Sequence, residues 1–412
     1  MTLSNSVQPN ERSRILDILR GIALLGIILA NYPVISLWVF QGPQVWETMP
    51  TAKIDMPLGF FHFAFLDGKF YTLFSLLFGI GFSIILLRSQ QKSTNGLAVF
   101  YRRLFILLLI GLFHSFFLWM GDILLLYALI GMLLPFFRNV SDKNLLIISV
   151  TLILSPLLVD ALRVISDNKI NFSAPLEKMT VKMEDRIGIT DDNFSTWLIK
   201  HKTYGELLKF NSGEFFMRWQ MLIASNRPLK VLGIFILGLY VGRKLIYARL
   251  EENKVLLKKI RLWGFIIGIP VSLVYSFVEI TGERLPDPKA LLNTAAYALS
   301  VVPLSLAYTS TLSLWYLKNN GSKFLNLFAA PGRMALTNYL LQSVTGICIF
   351  YGVGFGLGAK TGLAYVLLIA IAVYMLQIIY SHLWLKYFNY GPCEWIWRML
   401  TYGKFLKIRK VK

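Results

Sequence analysis

The 412-residue sequence contains few of the residues that build disulfide or metal sites. It has two cysteines, Cys348 and Cys393, and four scattered histidines. Two isolated cysteines form no disulfide framework, and zinc-ligand spacing is absent, so we expect no metal site and no permanently bound cofactor. The sequence also lacks the GxxxxGK[ST], GxSxG and HExxH motifs. This excludes a P-loop ATPase, a typical α/β-hydrolase and an HExxH metalloprotease.

Acidic residues are scarce as well, with 22 Asp and Glu against 42 Lys and Arg, for a net charge of +20. The basic residues lie between apolar runs rather than along one soluble face, so nucleic acid is not an expected partner. With 56% hydrophobic residues and a mean hydropathy of +0.58, the chain is too apolar for soluble domains. Its apolar runs repeat at membrane-span length, which predicts an all-α, polytopic membrane helical bundle.

The apolar runs predict about ten transmembrane helices, which form two halves separated by a long loop. The expected spans are 15–36, 64–87, 101–119, 122–137, 144–163, 229–249, 261–280, 290–316, 333–353 and 362–385. Lys and Arg concentrate in the short segments on one side, which predicts that both termini are cytoplasmic. Residues 1–163 form a first five-helix half, 164–228 an extracytoplasmic loop with amphipathic interfacial helices, and 229–412 a second five-helix half with a C-terminal cytoplasmic helix.

The first span carries polar residues along one face. Asp17, Arg20 and Asn31 fall on the same side of a helix, and Arg20 and Asn31 are eleven residues, or about 16 Å, apart. Polar groups in lipid turn toward a bundle interior or a wet cavity, so this helix is predicted to line an internal site. The alternative is that Arg14 and Arg20 are cytoplasmic anchors and Asn31 is a packing amide.

The third span repeats this arrangement with a histidine. Arg103 and His114 are eleven residues apart on one face, and the turn after His114 can fold Asp122 back toward the imidazole. A buried His beside a carboxylate suits a general base, although a hydrogen-bonded packing role stays open. His62, with its neighbours Asp67 and Lys69, either lines the mouth of the same cavity or lies at the interface.

Polar residues recur in the ninth span and near the C-terminus. Asn338 and Gln342 follow Arg333 on a face that is too polar for lipid. Glu394 and Arg398 are spaced as an i, i+4 pair on a predicted interfacial helix. We expect Glu394 to pair with one of the arginines at the cytoplasmic ends of the spans, which leaves the others for an anionic ligand.

Five separated blocks of the sequence resemble the YeiB-like membrane proteins, also called domain of unknown function family 418. The blocks are LDILRGIALLG at 16–26, KFYTLFSLLFGIGF at 69–82, HSFFLWMGDILLLYA at 114–128, GRMALTNY at 332–339 and GPCEWIWR at 391–398. The resemblance covers nearly the whole chain. It implies a multi-pass protein of the bacterial cytoplasmic (plasma) membrane.

The opening block is also similar, more distantly, to the transmembrane acyltransferases of the acyltransferase 3 and heparan-alpha-glucosaminide N-acetyltransferase types. Those enzymes move an acyl group from cytoplasmic acyl-CoA to a sugar across the membrane and use a His as base. In the acyltransferase 3 pattern a His stands eleven residues after the Arg, where this chain has Asn31. An amide cannot act as the base, so His114 and His62 are rival candidates.

The leading hypothesis is a membrane-embedded acyltransferase that uses an acyl-CoA-like donor as co-substrate. The arginines assigned to the donor are Arg14, Arg20, Arg103 and Arg333. His114, oriented by Asp122, would deprotonate an envelope sugar or lipid-linked acceptor, while Asn31 and Asn338 donate to the oxyanion. The alternatives are a transporter or exporter of an anionic or lipid-linked metabolite and a non-catalytic lipid-binding protein. Membrane lipids and a second copy of the chain are further expected partners.

Overall fold

The computed structural model of the chain describes residues 13–91, 95–190, 193–282, 285–318 and 322–410. Within these ranges the chain forms eighteen α-helices, a few short 3₁₀ or π turns and no β-strand. In chain order, α1 to α18 are Arg14–Ile35, Pro43–Glu47, Ala52–Phe65, Lys69–Gln91, Gly96–Phe113, Leu124–Gly131, Asp142–Ile165, Ala174–Ile187, Phe194–Lys200, Tyr204–Ala224, Arg227–Arg243, Lys254–Thr281, Ala290–Lys318, Lys323–Asn326, Ala329–Arg333, Ala335–Phe350, Leu363–Tyr387 and Pro392–Tyr402. The prediction of an all-helical protein is confirmed.

Seven helical segments in the described ranges are long and apolar enough to cross a membrane. They are α1, α3 with α4, α5 with the π turn after it, α7, α12, α13 and α17. An eighth is the pair α10 and α11, which is bent by 64°. The predicted span 122–137 consists of the eight-residue α6 and a 3₁₀ turn, and the predicted span 333–353 corresponds to the sixteen-residue α16. Both are shorter than the hydrocarbon thickness requires of a straight helix.

The bend between α10 and α11 has a local cause in the sequence. Asn226 adopts a left-handed conformation with φ 51°, and Pro228 occupies the first turn of α11, where its missing N–H costs nothing. At its other end, α10 begins at a capping box in which Thr203 and Glu206 accept each other's backbone N–H. The predicted outer loop 164–228 is therefore largely helical and leads directly into α11.

Glycine allows α4 and α11 to pack backbone against backbone. A Cβ on Gly79 would lie 2.1 Å from the carbonyl oxygen of Phe235, and a Cβ on Gly238 would lie 2.2 Å from that of Leu76. Small residues at such contacts let membrane helices approach closely. Helix α1 is central, since it contacts α4, α13, α15, α16 and α17.

Three buried carboxylates cap helices, and two of them, Asp55 and Glu394, cap helices that are distant in the sequence. Asp55 accepts two N–H groups from the first turn of α17, both at 3.0 Å, and Asp122 accepts one from the start of α6 at 2.6 Å. Glu394 accepts two N–H groups from the first turn of α16, at 2.6 and 3.1 Å. A negative group at a helix N-terminus satisfies orphan donors and complements the helix dipole. These caps fix the helix ends that surround the site.

Candidate functional site

A cavity of about 710 Å³ runs through the helix bundle. Its wall follows α1 from Ser13 to Val34 and α4 from Phe70 to Gln91. At 1.5 Å per residue, each stretch covers about 32 Å, which is close to the thickness of a bilayer hydrocarbon core. The cavity is therefore long and narrow, and it extends along nearly the whole length of these two helices.

The two ends of the cavity are polar and its middle is apolar. The middle is lined by Leu24, Ile27, Phe70, Phe74, Leu77, Phe78, Phe82, Leu104 and Leu107. The five-arginine end is lined by Arg20, Arg88, Arg103, Arg333 and Arg398, and the Asp67 end by Asp67, Tyr71, Arg218 and Arg227. This distribution suits a ligand with an anionic group at one end and an extended apolar part.

Helices α1 and α18 hold two side chains of the five-arginine end in place. Arg20 donates to Asp17 at 2.9 Å, and Asp17 is itself buried. The guanidinium of Arg103 lies 4.0 Å from the ring centroid of Trp397, whose indole N–H donates to the carbonyl of Arg103 at 2.9 Å. Stacking on Trp397 therefore orients the Arg103 guanidinium at the wall of the cavity.

A buried relay of three side chains lies beside the cavity. His114 Nδ1 is 2.9 Å from Asp122 Oδ1, and Nε2 is 2.8 Å from Ser343 Oγ. The three residues are 0%, 3% and 2% exposed. When the carboxylate accepts the Nδ1 proton, Nε2 becomes the acceptor for the Ser343 hydroxyl. This is the geometry of a Ser-His-Asp triad, in which the histidine takes the hydroxyl proton.

Local backbone geometry brings Asp122 back to His114, as the sequence predicted. Helix α5 ends in a π turn from His114 to Leu118, and Trp119 then adopts an extended conformation that reverses the chain. Arg218 donates two hydrogen bonds, both 3.0 Å, to the carbonyl of Asp122 and fixes this turn from α10. Single π turns are frequent at functional sites.

Tyr339 separates the relay from the cavity. Its ring lines the cavity, and the ring centroid lies 5.1 Å from that of His114. Neither His114 nor Ser343 is part of the described cavity wall. His114 follows Arg103 by eleven residues at the end of α5, which places it about 16 Å along the bundle from the five-arginine end.

The structure distributes the predicted residues of α1 and α3 among different environments. Asn31 lines the cavity, while Arg14 is exposed at the start of α1 and does not contribute to the described wall. Asp17 is the buried partner of Arg20. His62 is buried and donates from Nε2 to the carbonyl of Leu29 at 3.2 Å, so its described contact is with the backbone of α1. His114, unlike His62, faces a side-chain hydroxyl.

The amides of α16 point toward α17 rather than into the cavity. Asn338 donates to Ser381 at 3.0 Å, and Gln342 donates to Gln377 at 3.0 Å. The polar face of α16 points into the protein, as predicted, and its amides form hydrogen bonds with the neighbouring helix α17. The amide hydrogens of Asn338 are thus already used in packing.

Glu394 lines the cavity and also caps α16, where it accepts a further hydrogen bond from the Thr337 hydroxyl at 2.6 Å. We expected it to pair with an arginine, and its described hydrogen bonds go instead to α16. Arg398, one turn further along α18, lies over the ring of Tyr390 with 4.9 Å between the guanidinium carbon and the ring centroid.

Three residues of the site were not predicted from the sequence. Ser343 follows Gln342 in the polar part of α16, and nothing in its spacing distinguishes it from other membrane serines. Arg218 and Arg227 fall in the region that was assigned to an outer loop. The Arg227-Pro228 pair directly before an apolar run was the available signal, because it marks a helix start.

Fold and site together define a class: an all-helical protein with several helices able to cross a membrane, arranged around an internal cavity with arginines at both ends. The chain is 32% identical over 418 residues to "Uncharacterized protein YxaH" of Bacillus subtilis (strain 168), which covers 98% of this chain and 99% of that protein. It is 29% identical over 406 residues to "Uncharacterized protein YeiB" of Escherichia coli (strain K12), covering 95% and 96% of the two chains.

The family model described as "Protein of unknown function (DUF418)" matches residues 241–404. The chain belongs to this family, and the resemblance of the five sequence blocks to the YeiB-like membrane proteins is confirmed. No solved structure matches the chain.

Proposed function

We propose that the protein is a membrane-embedded acyltransferase that takes an acyl group from an acyl-CoA-like donor. The observation that carries the proposal is His114, held between Asp122 and Ser343 beside a cavity that has five arginines at one end. A thioester donor with several phosphates matches that cavity, because guanidinium groups bind phosphate in charge-assisted pairs and the apolar middle accepts the acyl chain.

We also infer that the chain crosses the bacterial plasma membrane ten times, with both termini in the cytoplasm. The seven long segments and α11 account for eight of these crossings, and we assign the other two to the shorter α6 and α16. The concentration of Lys and Arg in the segments on one side supports the orientation. The five-arginine end then faces the cytoplasm, where acyl-CoA is available, and the Asp67 end faces the envelope.

In the proposed first step, Ser343 Oγ attacks the thioester carbonyl while His114 Nε2 takes the hydroxyl proton. The oxygen–carbon bond forms, the carbon–sulfur bond breaks, and the imidazolium returns the proton to the leaving thiolate. Asp122 stabilises the imidazolium. Asn31, whose side chain lines the cavity, is the proposed donor to the oxyanion.

In the second step a hydroxyl or amine of an envelope sugar or lipid-linked acceptor attacks the Ser343 ester. His114 removes the acceptor's proton and returns it to Ser343 as the ester bond breaks, so the enzyme is regenerated. Both steps require Tyr339 to turn away from His114, because its ring closes the relay from the cavity.

The test is acylation of the purified protein in detergent by labelled acetyl-CoA and a labelled long-chain acyl-CoA, without acceptor. We expect one acylated peptide, containing Ser343, and none in Ser343→Ala. In His114→Ala the rate should fall by at least about 100-fold, the usual contribution of a general base. The matched control is Ser83→Ala, a buried serine of α4 without a described hydrogen-bond partner, which should label as the wild type. A folded wild type that is never acylated, or equal labelling of Ser343→Ala, would overturn the proposed route.

Transport is the second candidate, and one observation favours it. The cavity follows α1 and α4 for about 32 Å and has charged groups at both ends, as a translocation path requires. In that case the arginines bind an anionic or lipid-linked metabolite, and His114 with Asp122 couples protons. Proton-dependent uptake into proteoliposomes without any covalent product would replace the acyltransferase proposal by this one. Co-purified lipid with neither activity would indicate non-catalytic lipid binding.

A further inference from the structure

The Asp67 end of the cavity contains a guanidinium that has no acceptor in the described structure. Arg227 lines the cavity, and its Nε is buried without a hydrogen-bond partner. Its described side-chain contact is with the face of Tyr71, whose ring centroid lies 4.2 Å from the guanidinium carbon. A ring face compensates a buried cation in part and leaves its N–H groups unsatisfied.

A second buried cation follows one turn later on α11. Lys230 is 9% exposed, and its Nζ lies 4.1 Å from the ring centroid of Tyr297. No ion pair joins Lys230 to a carboxylate in the described ranges. The nearby Asp160 accepts from Asn226 at 2.8 Å and from Thr294 at 2.6 Å. An unpaired buried ammonium is costly, so this group calls for an anionic partner.

The local charge balance at this end is positive. Arg218 and Arg227 both line it, and Asp67 is the carboxylate in the described wall there. Asp67 already accepts a hydrogen bond from Tyr275 at 2.8 Å. Lys69, a further buried cation, donates to the carbonyl of Phe63 at 2.8 Å.

The backbone adds to this positive field. Helix α11 begins at Arg227 and is seventeen residues long, so the positive end of its dipole lies at the backbone of Arg227 and the residues that follow it. The tyrosines around the cations are linked to one another, since the hydroxyl of Tyr297 donates to that of Tyr71 at 3.2 Å. Of these groups, Arg218, Arg227 and Tyr71 line the cavity, while Lys230 and Tyr297 lie next to them outside its described wall.

We propose that Arg227 and Lys230, assisted by Arg218, form a second anion site that binds a phosphate group. The phosphate belongs either to a lipid headgroup or to free phosphate. A lipid phosphate would occupy the site with its chains in the apolar middle of the cavity. This site does not depend on acyl transfer. Where the proposed acyl transfer also takes place, the second anion site implies that the acyl acceptor is a lipid-linked phosphate compound.

The test measures ligand-induced thermal stabilisation and binding for the full chain in detergent. The probes are inorganic phosphate, phosphatidic acid and, as a neutral-headgroup comparison, phosphatidylcholine in mixed micelles. Arg227→Gln and Lys230→Met should each weaken binding of the phosphate probe at least about tenfold. Lys230→Met should also raise the melting temperature without ligand, because it removes a buried cation, and should abolish the stabilisation by ligand.

The control is Arg186→Gln in α8, an exposed arginine, which should bind both probes as the wild type does. Binding of phosphatidic acid alone identifies a lipid phosphate, and equal binding of inorganic phosphate identifies the free anion. Acetyl-CoA binding at the five-arginine end should be unchanged in Arg227→Gln, which separates this result from a failure of the proposed function. Wild-type affinity for phosphate in both variants, or no wild-type response to either phosphate probe, would overturn the proposal.

Discussion

Replacing Glu394 with alanine should destabilise the junction between α16 and α18. The side chain is 8% exposed, and its Oε1 accepts the N–H groups of Leu336 and Thr337 at 2.6 and 3.1 Å. Its Oε2 bonds to the Thr337 hydroxyl at 2.6 Å. Alanine leaves these donors unsatisfied at a buried helix N-terminus, where water cannot easily replace the carboxylate.

The magnitude follows from the number of bonds that are lost. A hydrogen bond contributes about 0.5–1.5 kcal/mol, a buried donor that is left unsatisfied costs about 1–3 kcal/mol, and loss of a helix cap costs about 0.5–2 kcal/mol. Because the three bonds share one side chain, their losses do not add fully. We therefore expect Glu394→Ala to cost about 3–5 kcal/mol of unfolding free energy.

Glutamine should be tolerated much better than alanine. Burial raises the pKa of the Glu394 carboxyl above its usual range, against the effect of the hydrogen bonds from α16. A protonated Glu394 still accepts both N–H groups through Oε1 and donates from Oε2 to Thr337. Glutamine reproduces this pattern with its amide, so Glu394→Gln should lose less than about 1 kcal/mol.

The same pKa shift fixes the sign of the pH dependence. The native state holds the Glu394 proton more tightly than the unfolded chain, whose carboxyl titrates near 4.5. The stabilising contribution of this group is therefore fully present below pH 4.5 and is lost as the pH rises through the raised native value. Glu394→Gln should lack this part of the pH dependence.

The assay is the apparent melting temperature, followed by tryptophan fluorescence in detergent across a pH series. Glu252→Ala is the control, because Glu252 is exposed in the turn before α12 and its removal should leave the melting temperature unchanged. Wild-type stability of Glu394→Ala, or equal losses in the alanine and glutamine variants, would show that the capping argument is wrong.

Two further predictions concern packing and donor binding. Gly238→Ala should reduce the yield of monodisperse protein in size-exclusion chromatography, because its Cβ would lie 2.2 Å from the carbonyl oxygen of Leu76, whereas Gly81→Ala on α4 meets nothing within 4 Å and should behave as the wild type. Arg20→Ala should weaken acetyl-CoA binding in calorimetry at least about tenfold, since Arg20 lines the cavity, while Arg14→Ala at an exposed position should not. Equal binding by the two arginine variants would contradict the assignment of the five-arginine end.

Much of the fold and part of the site follow from local sequence patterns. Apolar runs of span length predict the helices, and the short turn after His114 predicts that Asp122 returns to the imidazole. The one-sided polar face of α1 predicts that Arg20 and Asn31 share an internal wall, and both line the cavity. These inferences need a helical period and a turn, which are properties of a short stretch of chain.

The remaining features depend on contacts between distant segments. Ser343 lies more than two hundred residues from His114, and no periodicity relates the two. The polar face of α16 is visible in the sequence, but whether Asn338 faces the cavity or α17 depends on how the two helices rotate against each other. Arg218 and Arg227 interrupt the apolar pattern of a bent helix pair, which therefore resembles a polar loop followed by a span.

Tyr339 lies between the cavity and the relay of His114, Asp122 and Ser343. The orientation of its side chain therefore decides whether the proposed chemistry is geometrically feasible. Tyr339 and Ser343 are four residues apart on α16, so their side chains lie on one face, about 6 Å from each other along the helix. Under the acyltransferase proposal, a donor whose reactive carbonyl reached the ring of Tyr339 would lie about one helical turn from the Ser343 hydroxyl. In the proposed chemistry, rotation of the Tyr339 side chain would join them, because its ring lines the cavity and contacts the His114 ring. A buried relay behind a single aromatic side chain is thus suited to a reaction in which an acyl ester must survive until its acceptor arrives from the Asp67 end.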